Sequence, residues 1–102
     1  MENIWSAEKT KVVNLDRYNI VENKRSDGTI DRCFLGNDMD RYGARMSTLI
    51  QEYDETTKIG TTKSGTEYHL HGDPGLDDDA RYLLGCATGH TVDSFTFKWP
   101  LT

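Results

Sequence analysis

The sequence predicts an α+β domain: a mostly antiparallel sheet of about five to seven strands, curled or barrel-like, with one short helix covering an end or a face. Three observations predict it. Apolar and polar residues alternate along most of the chain, as in Tyr68-His69-Leu70-His71 and Phe95-Thr96-Phe97-Lys98. Turn-forming clusters such as Ser26-Asp27-Gly28 and Lys63-Ser64-Gly65 separate the alternating runs. One stretch, Asp77 to Gly85, carries helical spacing instead, with Leu76, Ala80, Leu83 and Leu84 on a single stripe.

The 102 residues fall within the usual size of one domain, and no Pro/Gly/Ser-rich linker divides them, so residues 1–102 read as one core. Hydrophobic residues make up 35% and aromatic residues 10%, which predicts a thin core rich in rings. Lys11 to Glu22 is extended, with Val13 and Leu15 on one parity and Tyr18 and Ile20 on the other. That switch calls for a bulge or bend near Asp16-Arg17. A hairpin follows, Arg17–Asn23 and Thr29–Leu35 around Lys24-Arg25-Ser26-Asp27-Gly28. On its second arm Cys33 and Leu35 share one face while Ile30, Arg32 and Phe34 share the other. Neither face is wholly polar, so both are expected to be partly covered.

Gly36 to Gly43 reads as a surface loop. Asp38, Asp40 and Gly43 echo a calcium loop, but Tyr42 and Leu49 stand where it needs oxygen ligands, which argues against calcium. A three-stranded meander comes next: Met46–Tyr53, Lys58–Thr62 and Thr66–Gly72, turning at Asp54-Glu55-Thr56-Thr57 and Lys63-Ser64-Gly65. On its last strand Tyr68 and Leu70 point one way, and Glu67, His69 and His71 the other. For the helix, Asp73 before Pro74 fits an N-cap followed by the first helical position, with Asp77 as the alternative cap. Gly85 or Gly89 should end it. The final strand, Thr91–Pro100, gathers Phe95, Phe97 and Trp99 on one aromatic face, and Trp5 is the large apolar group available to tie down the N-terminus.

Charge bounds the function. The net charge is −5, and residues 52–102 hold four Lys/Arg against nine Asp/Glu, while residues 1–51 are balanced at eight and eight. Binding driven by phosphate neutralisation needs a basic footprint, so nucleic acid is not the expected partner, even though Lys24, Arg25, Arg32, Arg41 and Arg45 gather some positive charge. Met1 to Glu8 has neither the basic start nor the apolar core of a signal peptide. No apolar run nears the roughly 18 residues of a membrane span, so a cytoplasmic protein without membrane contact is expected. Cys33 and Cys86 fit no metal-ligand spacing and read as free buried thiols.

His69 and His71, at i and i+2 on one strand face, have the spacing to ligate one ion, and Asp73, Asp77, Asp78 or Asp79 would complete the site. This supports a metal-binding protein or metal-dependent enzyme as the alternative function. The simpler account is a solvated strand face beside an acidic helix start, and no cofactor is implied. Nucleophilic catalysis has less support. Ser64-Gly65 lies between two strands instead of at a strand-to-helix elbow, and Cys86 with His90 is only a thin thiol pair.

The run Thr61-Thr62-Lys63-Ser64-Gly65-Thr66-Glu67-Tyr68-His69-Leu70-His71-Gly72-Asp73-Pro74-Gly75 resembles small uncharacterised bacterial proteins with a Ser-Gly hairpin, a Tyr-x-Leu strand and a Gly-x-Pro-Gly lead into a short helix. Such proteins look like accessory products of mobile elements. The resemblance implies a small acidic protein that binds and blocks a host factor, and it carries no catalytic residues. Together with the charge distribution, it gives the leading expectation. This is a non-enzymatic protein-binding domain acting through Asp73, Asp77, Asp78, Asp79 and Tyr82 on a partner with a basic surface. Exposed sheet edges would also favour a homodimer by strand pairing.

Overall fold

A computed structural model describes residues 11–41, 43–89 and 95–99. The elements are β1 (Val12–Lys24), β2 (Ile30–Asp38), β3 (Gly43–Asp54), β4 (Ile59–Thr62), β5 (Glu67–Pro74), α1 (Asp78–Thr88) and β6 (Thr96–Phe97). Each of the first four strands pairs antiparallel with the next, so β1 and β5 point the same way. The sheet can therefore close on itself only through a parallel pair. It does so where Val12–Asp16 runs beside Glu67–His71, giving a closed five-stranded barrel with β6 added to β1 at Val21 and Glu22. The expected antiparallel order thus holds in every pairing but the closing one.

Bulges curl the sheet. In β1 the register slips between Asp16 and Asn19, and Arg17 takes a left-handed φ of 44°. The inward set changes parity there, so Val13, Leu15, Tyr18 and Ile20 all reach one interior core, as the alternation predicted. Gly36 faces this bulge because a Cβ would stand 2.9 Å from Tyr18 Cα. In β3 a second slip falls opposite Phe34, whose N–H is satisfied by Ser47 Oγ at 2.8 Å instead of by the ladder. A third lies between Ile50 and Glu52.

The barrel interior packs Val13, Leu15, Tyr18, Ile20, Phe34, Tyr68 and Leu70. Phe34 stacks on Tyr68 with ring centroids 5.3 Å apart and meets Tyr53 edge-on at 5.7 Å. Its ring lies so close to β4 that a Cβ on Gly60 would be 2.3 Å from it, which explains a glycine in the middle of a strand. A second cluster lies outside the barrel, where Val21 and Leu35 meet Ala80 and Leu84 of α1. Both faces of β2 are covered, Phe34 inward and Leu35 under the helix.

Several boundaries differ from expectation. β2 continues through Gly36, Asn37 and Asp38, because pairing with Ala44 and Arg45 outweighs their turn propensity. β5 runs past Gly72 to Pro74, and Gly75 N–H then bonds Tyr18 O at 2.8 Å, holding the chain extended. Asp73 is therefore a strand residue and not the N-cap. Asp77 caps the helix, accepting from Ala80 N–H at 3.0 Å, and Gly89 ends it with φ 76°. Cys86 lies within the helix and is exposed, not buried; Cys33 is half-buried. The C-terminal rings do not share one face: Phe95 and Phe97 join the helix-side cluster, whereas Trp99 packs against the interior. The readings at Trp5, Tyr42, His90, Thr91–Ser94 and Pro100 lie outside the described residues. Among the described residues no helix is long and apolar enough to cross a membrane.

Candidate functional site

The helix start is built by two local rules. The Asp77 carboxylate satisfies an otherwise unpaired N–H of the first turn, and Asp78 and Asp79 follow where the positive end of the helix dipole favours anions. The stripe Ala80 and Leu84 is buried against the barrel, so the opposite side of the helix is turned to solvent. That side carries Asp78 and Asp79, then Tyr82 three to four residues later, then Cys86. Tyr82 is 75% exposed. A hydrogen bond with Cys86, one turn on, is the main cause of an upward shift in the phenol's pKa. The last turn of α1 carries no basic residue to offset the negative start.

The structure therefore brings Asp78, Asp79 and Tyr82 together on one exposed stripe. Asp77 stands at the same turn, but its carboxylate is engaged with the backbone. Asp73 is exposed four residues earlier, at the end of β5. The chain just before Asp73 is anchored at Gly72, whose φ is 75° and whose carbonyl accepts from Tyr18 Oη at 3.1 Å and Lys58 Nζ at 2.7 Å.

His69 and His71 point away from the interior, as their alternation with Tyr68 and Leu70 predicted. His69 Nε2 lies 2.7 Å from Glu67 Oε1, and His71 Nε2 lies 2.8 Å from Asn14 Oδ1. Asn14 Nδ2 in turn donates to Asp40 Oδ2 at 3.1 Å, which fixes its amide with the oxygen toward His71. Both Nε2 atoms face acceptors, so in the neutral rings each acts as donor and the lone pair lies on Nδ1. Among the described residues no three His, Cys, Asp or Glu side chains gather as a metal-holding group.

The His71–Asn14–Asp40 chain has no signature in the sequence, because it depends on the parallel register that sets Asn14 and Asp16 beside His69 and His71. Ser64 Oγ sits among the hydroxyls of Thr48, Thr62 and Thr66 at 3.2 to 3.3 Å, with no imidazole or carboxylate bonded to it among the described residues. An open groove of about 690 Å³ lies along the β3–β4 hairpin, with Glu52, Asp54 and Glu55 on its wall. The chain matches no protein-family model, no curated protein and no solved structure.

Proposed function

We propose that this protein is a non-enzymatic protein-binding domain that presents the acidic start of α1 to a basic surface on its partner. One observation carries the reading: Tyr82 is 75% exposed on a helix whose other side docks on the barrel through the buried Ala80 and Leu84, and it is flanked by Asp78 and Asp79. An exposed aromatic ring ringed by charge is the chemistry of an interface anchor. The ring supplies area at low entropic cost, and the carboxylates steer a cationic surface toward it. Asp73 and Asp77 add to the same negative field. Barrel closure consumes sheet edges that a strand-pairing homodimer would need, which favours a foreign partner over a second copy. The resemblance to mobile-element accessory proteins narrows that partner to a host factor, inhibited when its basic surface is occupied.

The test compares capture from a host lysate by the wild-type chain and by an Asp78→Lys, Asp79→Lys double variant. Asp77 is left intact because its loss would also uncap the helix. Wild-type capture should weaken as salt rises, and the double variant should lose it while melting as wild type does. A Tyr82→Ala variant should lose capture at all salt concentrations. Equal capture by the lysine variant would overturn the reading.

A further inference from the structure

The two ends of the barrel are finished differently. At one, Asp38 is 4% exposed and Arg45 Nε donates to Tyr68 Oη at 3.1 Å, with Arg45 Nη1 3.9 Å from Asp38, so charge and ring fill the end together. At the other, Glu22 and Arg32 face each other across the β1–β2 ladder, and Arg32 Nε donates to Glu22 Oε2 at 2.8 Å. This pair stays at the rim, with the Arg32 side chain half exposed. Between it and Ile20, Ile50, Tyr53 and Lys98 lies a cavity of about 230 Å³.

The walls of this cavity are unequal in hydrogen-bonding capacity. Lys98 Nζ is held by Glu55 at 2.8 Å and Glu22 is engaged by Arg32, while Asp54 is occupied by the N–H groups of Thr56 and Thr57. The donors are in surplus. Among the described residues, the terminal NH₂ groups of Arg32 and the hydroxyl of Tyr53 have no hydrogen-bond partner. Burial, and then the neighbouring Tyr18, Glu55 and Asp54, push the Tyr53 phenol upward, so it remains a neutral donor at physiological pH. Ile20 and Ile50 supply an apolar floor. Donor-bearing side chains lining a cavity with an apolar floor form the usual composition of a small-molecule site, here below the roughly 300 Å³ at which drug-sized pockets begin.

We propose that this open end of the barrel binds a small free organic carboxylate. The carboxylate takes the terminal NH₂ groups of Arg32 and the Tyr53 hydroxyl, and a compact apolar body rests on Ile20 and Ile50. Glu22 is then a competitor, because it holds the same guanidinium that the ligand needs.

The test is an amide chemical-shift titration of the full chain at low salt, with benzoate as probe and inorganic phosphate as control. Benzoate should give saturating shifts at Ile20, Glu22, Arg32, Ile50 and Tyr53, and phosphate should not. Arg32→Met should weaken benzoate binding by about tenfold or more, the scale of a lost charged hydrogen bond. Glu22→Gln should tighten it severalfold by freeing the guanidinium, a gain that a merely structural ion pair would not produce. Shifts that fail to saturate, equal shifts with phosphate, or weaker binding by Glu22→Gln would each overturn the proposal.

Discussion

The interior core and the helix-side core are built from the same strands but held in different ways. Inside the barrel, Phe34, Tyr18, Tyr68, Tyr53 and Trp99 interlock through ring contacts at 5.3 to 6.5 Å, and the closed sheet surrounds the cluster laterally, leaving Tyr53 and Trp99 partly buried. Outside, Val21, Leu35, Ala80 and Leu84 are buried, but much of the surrounding apolar surface, including Ala44, Met46, Leu76 and Leu83, is only partly covered. The second core depends on one helix of 11 residues lying against one face of the sheet. A helix that short has little stability of its own, so its order comes from that docking. The proposed binding stripe thus stands on the less securely held half of the molecule.

Deleting one large side chain from each core tests that difference. Phe34→Ala should have the largest effect, about 3–5 kcal/mol in urea unfolding, because the ring is fully buried and its ring neighbours, Tyr68 stacked and Tyr53 edge-on, relax little. Leu84→Ala should cost about 2–3 kcal/mol, toward the low end for such a change, because the half-exposed residues around it can shift into the space. Equal losses would mean that the two clusters unfold as one rigid core and that the helix is no separable part.

Asn19 is where the two cores meet. Its side chain is fully buried: Oδ1 accepts from Ile20 N–H at 2.9 Å and Trp99 N–H at 3.2 Å, and Nδ2 donates to Trp99 O at 3.0 Å. The chain crosses there from Phe97, in the outer cluster, to Trp99, in the inner one. Asn19→Ala should cost about 1–3 kcal/mol through the polar groups it leaves unpaired. Combined with Leu84→Ala, the loss should fall short of the sum of the two singles if Asn19 couples the clusters, because each single already forfeits the coupling, and equal that sum if it does not.

Local chemistry in the sequence anticipates much of the interior core. The parity switch from Leu15 to Tyr18 required a bulge, the Asp27-Gly28 turn required a hairpin, and Tyr68 and Leu70 had to share a face. The closing pairing was not legible. Val12–Asp16 and Glu67–His71 find each other only after four hairpins have brought them together, and neither segment carries a local signal for a parallel neighbour. Asn19 likewise looks like any polar strand residue until Trp99 reaches it. On the helix side, the stripe and the acidic start follow from the 3.6-residue period. The cap was ambiguous because Pro74 imitates a first helical position, whereas the Gly75–Tyr18 bond keeps that segment extended. The open end of the barrel was invisible, since Glu22 and Arg32 meet only through register.

The helix start separates fold from function at single residues. Asp77→Ala should cost about 1 kcal/mol by removing the side-chain bond to Ala80 N–H. Asp79→Ala, whose side chain is exposed in the first turn, should cost a few tenths at most, the scale of a screened charge–dipole contact. Thermal melts of the two variants check this. A loss at Asp79 as large as at Asp77 would mean that the stripe is needed for the fold and is not free to serve a partner.

The smallest effect uses the cysteines to report on the two environments. Cys33 lies half-buried between Val21 of β1 and Leu49 of β3, and burial, with Asp31 second, raises its thiol above the ordinary value of 9.0. A raised pKa leaves less thiolate at any pH below it, and the thiolate is the reactive form. Cys86 is exposed on α1 beside Tyr82. Iodoacetamide at pH 8 should therefore modify Cys86 severalfold faster than Cys33, giving by mass spectrometry a singly labelled species before a doubly labelled one. In Leu84→Ala the Cys33 rate should stay near wild type if loosening is confined to the helix, and rise if the β2–β3 ladder opens with it. Should the two thiols label at equal rates in the wild-type chain, the sheet beside Cys33 is already open and the contrast between a secured barrel and a loosely held helix fails. If the contrast holds, a fluorophore placed selectively on Cys86 would sit one turn from Tyr82 and report directly on occupation of the acidic stripe.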